Sequence, residues 1–146
     1  MNAGKTTPSG RWSALDRLHR RVENRVERAL HGQLGVSARE FQALRALQES
    51  IRDAEGQLHF DELADAIGLT QSATSRLVTR LRDRGLITTR TSAYDRRSVD
   101  VHLTPVAQDV LRLGVPLLER AVHDVVSGLR ADDTDADLIR YLQGPS

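Results

Sequence analysis

Residues 58–104 read LHFDELADAIGLTQSATSRLVTRLRDRGLITTRTSAYDRRSVDVHLT, and the fold turns on this stretch. Two short helical patterns, at about 61–67 and 71–84, are joined by Gly68-Leu69-Thr70. Short helices linked by a tight glycine-containing turn make a helix-turn-helix. Residues 86–91 and 99–103 follow, rich in Thr, Val, Ile and Leu and flanking a polar loop that carries arginines. That pattern predicts a β-hairpin, and Leu58–Phe60 reads as a further short strand.

On the second helix Ala73, Leu77 and Leu81 recur at helical spacing and are expected to point inward. The opposite face then holds Ser72, Ser75, Arg76, Thr79 and Arg82, with Gln71 at its edge. Ser, Thr and Gln hydrogen-bond to base edges, while Arg forks onto guanine or holds a phosphate. Any solvated helix can show such a face. The hairpin that follows gives it meaning, because Arg96 and Arg97 fall at or near its tip. A tip arginine suits the negative potential of a narrow minor groove. Asp95 beside them either braces one by an ion pair or softens the loop's charge.

Outward from this stretch, the flanks are helical. Leu15, Leu18, Val22, Val26, Ala29 and Leu30 mark a helix over 11–31, with Gly32 and Gly35 expected to break it. Residues 1–10 read as a disordered lead-in without the apolar run of a signal peptide. Ser37 opens a capping box with Glu40, and Phe41, Leu44, Leu47 and Ile51 form the next stripe. Thr104-Pro105 is a strong helix start. That helix is expected to run to about 128, kinked by Gly114 and Pro116, with a short last helix at 135–142. The terminal helices carry long apolar stripes outside the middle of the chain, which points to a dimer in which they are covered.

The fold class expected is mainly α with a small β-wing: a winged helix-turn-helix over 37–104, plus a helical dimerisation region from 11–35 and 105–146. The net charge is only +1. Yet seven arginines (76, 80, 82, 84, 90, 96 and 97) face three acids (Asp83, Asp95 and Asp100) between residues 70 and 102. This local excess suits a polyanion. The absence of cysteine removes disulfides, thiolate metal sites and thiol redox chemistry. No apolar run is long enough to span a bilayer, so a cytoplasmic location is expected.

The stretch from Leu58 to Thr104 resembles the central motif of the multiple-antibiotic-resistance regulator (MarR) family. The resemblance rests on ELA at 62–64, IGL at 67–69, SRLVTRLRDRGLI at 75–87, DRR at 95–97 and LT at 103–104. It implies a bacterial transcriptional regulator rather than an enzyme: a ligand-responsive repressor, nucleoid-associated, that binds a pseudo-palindromic operator in double-stranded DNA as a homodimer. Ser72, Thr74, Ser75, Arg76 and Arg80 would fall on its recognition helix, and Asp95, Arg96 and Arg97 on its wing. Thr91-Ser92-Ala93-Tyr94 departs from the family's usual wing approach. The resemblance also implies a small aromatic or anionic effector. Trp12, Asp65 and Arg90 resemble positions of the urate-responsive branch, and Trp12 serves equally as interface packing.

Other classes find less in the chain. No cofactor motif, phosphate-cradling loop, serine elbow or metalloprotease helix appears, so an enzyme is not expected. The five histidines (19, 31, 59, 102 and 123) make no i, i+3 or i, i+4 pair. Asp133, Asp135 and Asp137 lack the glycine and closing glutamate of a calcium loop. A winged module that binds protein would not need a Ser/Thr/Arg face or wing arginines.

Overall fold

The computed structural model describes residues 7–53, 58–91, 99–129 and 143. Five helices and three strands follow in order: α1 (Pro8–Leu34), α2 (Ala38–Asp53), β1 (Leu58–His59), α3 (Phe60–Ile67), α4 (Gln71–Asp83), β2 (Ile87–Thr91), β3 (Val99–Leu103) and α5 (Pro105–Ser127). The mainly helical fold with a small sheet agrees with the sequence reading. The expected helix at 135–142 and the wing residues Asp95, Arg96 and Arg97 lie outside the described residues.

Helix α1 begins at Pro8 rather than near residue 11, because Thr7 caps it and accepts from Gly10 N at 3.1 Å. It also passes through Gly32, where a break was expected. A glycine inside a helix costs about 1 kcal/mol but does not end it. What ends α1 is Gly35, whose φ of 68° is the left-handed conformation that closes a helix. Helix α5 is likewise a single helical segment through Gly114 and Pro116.

The chain divides into two compact units, Met1–Gly35 with Val115–Ser146, and Val36–Gly114. The division therefore falls inside α5, not before Pro105. In the first unit α1 and the second half of α5 bury Leu18, Val126 and Leu129, with Val22, Val122 and Val125 packed around them. Arg25 and Asp124 pair across the two helices at 3.3 Å. Trp12 and Leu15, three residues apart on α1, stay exposed at 67% and 50%. Burying such side chains is worth about 1.5–3 kcal/mol each, so this face gains from a cover.

In the second unit the three strands pair antiparallel in the order β1-β3-β2, with Leu58 opposite Val101 and Ile87 opposite Leu103. Helix α2 packs on α3 and β3, and α4 on α3 and β2. Phe41, Leu44, Leu47, Leu63, Leu81 and Val101 are wholly inaccessible and form its core. Phe41 lies so near α5 that a Cβ on Gly114 would stand 2.3 Å from its Cε2. Glycine at 114 is therefore a packing requirement. The anticipated capping box is present: Ser37 N donates to Glu40 Oε1 and Glu40 N to Ser37 Oγ, both at 3.0 Å.

Candidate nucleic-acid interface

The interface begins with the turn between α3 and α4. Leu69 N donates to Ala64 O at 3.2 Å, and Gly68 supplies the positive φ, 68°, that a side chain would resist. Thr70 then caps α4, its Oγ1 accepting from Ala73 N at 3.2 Å. Gln71 Nε2 donates to Asp61 Oδ1 at 3.0 Å, tying the start of α4 to α3. The amide oxygen of Gln71 stays available to a donor.

Helix α4 is fastened by Thr74, Leu77, Val78 and Leu81, all buried. Ala73, expected inward, is only partly buried. Ser72, Ser75, Arg76, Thr79, Arg80 and Arg82 are exposed, so the expected polar face is assembled on one rigid element. Thr79 Oγ1 donates to Ser75 O at 3.0 Å. Its proton is thus engaged within the helix, and toward a base it acts as an acceptor.

Thr74 does not belong to that face. It is wholly inaccessible, and its Oγ1 donates to Thr70 O at 2.8 Å. Its i, i+3, i+4 relation to Leu77 and Val78 sets it on the inward side of the helix, whatever its position in the resembling motif. It cannot reach a base while α4 is folded.

The far end of α4 is fixed by Glu40 and Arg84, an ion pair that joins α2 to the exit of α4. Burial pushes the Glu40 carboxyl upward, but hydrogen bonds from the Ser37 backbone, from Arg84 and from the Ser37 hydroxyl outweigh it. The net effect holds Glu40 below the ordinary glutamate value. Beyond Gly85, Thr104 Oγ1 lies 2.7 Å from Gly85 O and 3.1 Å from Leu86 O, and accepts from Ala107 N at 3.2 Å. One hydroxyl thus clasps the chain just beyond α4 and caps α5. Neither the Asp61–Gln71 bond nor the Glu40–Arg84 pair was anticipated. Thr70 had a visible signal, a threonine directly before a helical pattern.

The wing leaves the core with Arg90 opposite Asp100 and Thr91 opposite Val99, so the hairpin register is set up to the last described pair. The remaining candidates lie on three different elements. Trp12 lies on α1, Asp65 near the end of α3 and Arg90 on β2, each exposed. Among the described residues no ion pair joins Asp65 to Arg90. None of the described helices is long and apolar enough to cross a membrane.

A family profile described as the MarR family matches residues 34–98, which takes in α2, β1, α3, α4 and β2. Among solved structures, the chain is similar to Sco3205, a MarR family transcriptional regulator from Streptomyces coelicolor solved in complex with DNA. That match has a TM-score of 0.72 and 27% identity over 83% of this chain and 74% of the other. Wild-type MarR from E. coli in its apo form matches at a TM-score of 0.70 and 22% identity, over 93% of this chain and 94% of that one. BpsR of Bordetella bronchiseptica, whose DNA binding is regulated by 6-hydroxynicotinic acid, matches at a TM-score of 0.66 and 23% identity, over 82% and 81% of the two chains.

Proposed function

From the match of residues 34–98 to the MarR family profile, we propose that this chain is a MarR-type DNA-binding transcriptional repressor. It acts as a homodimer on a pseudo-palindromic operator and is released by a small aromatic or anionic effector. The observation that carries this reading is the exposed face of α4, where Ser72, Ser75, Arg76, Thr79 and Arg80 stand on a helix fastened by four buried residues. A reading helix must be rigid, because hydrogen bonds to base edges tolerate little displacement. Gln71 joins this face at its edge through the oxygen that its bond to Asp61 leaves open.

In this reading α4 enters the major groove, and Arg96 and Arg97 of the wing follow the minor groove, with Asp95 beside them. The exposed Trp12 and Leu15 support a dimer through the terminal helices. Two reading helices related by a two-fold axis bind half-sites about 10 base pairs apart. The structural likeness to BpsR supports a ligand response, and Trp12, Asp65 and Arg90 are the residues proposed for it.

Selection of bound duplexes from a randomised pool tests the whole reading. The expected product is an enriched two-fold sequence with that spacing. A pool that shows no enrichment refutes sequence-specific DNA binding.

A further inference from the structure

In the helical unit α1 and α5 leave a groove between them of about 300 Å³, the scale of a small-ligand site. Arg25 and Arg28 line it from α1, and Arg120 from α5. Ala29, Leu117 and Ala121 supply an apolar floor, and Gln33 an amide. Arg25 and Arg28, with Ala29 and Gln33, share one face of α1 by their three-, four- and eight-residue offsets. Leu117, Arg120, Ala121 and Asp124 share one face of α5 in the same way.

The charge in this groove is unbalanced. Asp124 answers Arg25 at 3.3 Å. Among the described residues Arg28 and Arg120 make no ion pair, so two guanidinium charges face the same space. Like charges brought together in a partly enclosed groove repel, and two of them are answered by an anion of charge −2. Guanidinium groups hold carboxylate and phosphate oxygens in paired hydrogen bonds, which adds geometric selection to the charge. The apolar floor gives a compact carbon body a place to rest.

We propose that this groove binds a small dianion, a phosphate monoester or a dicarboxylate, and that this ligand is a second effector of the regulator, apart from the one assigned to Trp12, Asp65 and Arg90; the second half rests on the function proposed above. Arg28 and Arg120 grip the charged groups, Arg25 is held in place by Asp124, and Leu117 receives the body of the ligand. The site lies wholly within the helical unit and involves none of Trp12, Asp65 and Arg90.

The test is calorimetric titration of the whole protein, without DNA, at pH 8. There a phosphate monoester is fully dianionic, its second pKa being about 6. The probes are phenyl phosphate and succinate, with benzoate as the monoanion and phenol as the neutral control. Saturable binding of phenyl phosphate or succinate is expected, and the tighter of the two identifies the charged group. R28Q and R120Q should each weaken it about tenfold, the loss of one charge-assisted contact, whereas R17Q on the same helix should not. All three arginines are exposed, and circular dichroism checks that each variant is folded. Binding of neither dianion, benzoate binding as tightly as the dianions, or unchanged affinity in R28Q and R120Q overturns the site. A parent protein that binds phenyl phosphate or succinate yet holds its selected duplex equally tightly with that ligand present overturns the effector role alone. Failure of duplex selection refutes the regulator reading while leaving the calorimetric result to decide the site.

Discussion

Replacing Gly114 with alanine adds one methyl group and should unsettle the unit that carries the reading helix. The new Cβ would lie 2.3 Å from Phe41 Cε2 and 2.7 Å from Cζ, whereas ordinary contact begins near 3.4 Å. The ring must therefore retreat by about 1 Å. It has no free space to enter, since Phe41 is wholly inaccessible and Leu44 and Leu47 beside it in the core are too. A Cβ is fixed to the backbone and cannot rotate away, so the cost belongs at the upper end of overpacking, about 3 kcal/mol. Alanine returns about 1 kcal/mol of helix propensity. The net loss is about 2 kcal/mol, or a fall in Tm of about 4–8 °C for a chain of this size. Urea unfolding followed by far-UV circular dichroism measures it directly. Gly32 supplies the contrast, because nothing lies within 4 Å of a Cβ placed there. Gly32→Ala should therefore stabilise slightly, by about 0.5 kcal/mol. Adding Phe41→Leu to Gly114→Ala should recover part of the loss by trimming the obstructed ring. If Gly114→Ala is as stable as the parent, the close approach of Phe41 to α5 does not constrain the fold, and the reasoning fails.

Four further outcomes are expected. Arg76→Ala should weaken binding to the selected duplex about tenfold or more, from a lost contact of about 1–3 kcal/mol. Thr74→Val should leave the selected sequence unaltered, since that hydroxyl is spent on Thr70 O; fluorescence anisotropy on the same duplex reads both. Removing Arg96 and Arg97 together should flatten the salt dependence of binding by a slope of about 2, if each neutralises one phosphate, and an unchanged slope in a salt titration would take the wing off the DNA. Glu40→Ala should cost about 2 kcal/mol at neutral pH by removing its bonds to Ser37 and Arg84. Because the native carboxyl is held below its unfolded value, this stabilisation is fully present above the ordinary glutamate pKa. It is lost as pH falls through the depressed native one. Urea curves of parent and variant should accordingly converge in acid.

Local order was legible where one signal acts over a few residues. Thr104-Pro105 reads directly as a helix start, and Ser37 with Glu40 as a capping box. Thr7-Pro8 carries the same signal as Thr104-Pro105 but stands in a polar stretch with no apolar pattern to draw attention to it. Leu77 and Leu81 declare the inner face of α4, yet Val78 was not read with them. A buried stripe wider than the minimal seam is set by what packs on it, here α3 and β2. Thr74 shows a limit of another kind: helical spacing turns it inward, where it is buried, while its place in the resembling motif counted it among the DNA-contacting residues. Glu40 and Arg84 are 44 residues apart, and Arg25 meets Asp124 across 99. Such pairs depend on the path of the chain between them, which periodicity does not encode. For the same reason the arginine-lined groove is invisible in the sequence, where Arg28 and Arg120 are two arginines among many.

The clasp at Thr104 makes two helices depend on one hydroxyl. A single hydroxyl holds the exit of α4 and the first turn of α5, so those two pieces shift as one part. Gly114, wedged against Phe41, fastens the same helix again ten residues later. The first half of α5 is therefore fastened at two places within the unit that also holds α4, and that unit ends only at Gly114. Two residues past that boundary Pro116 lacks a backbone donor, so α5 is one hydrogen bond short just where the unit stops.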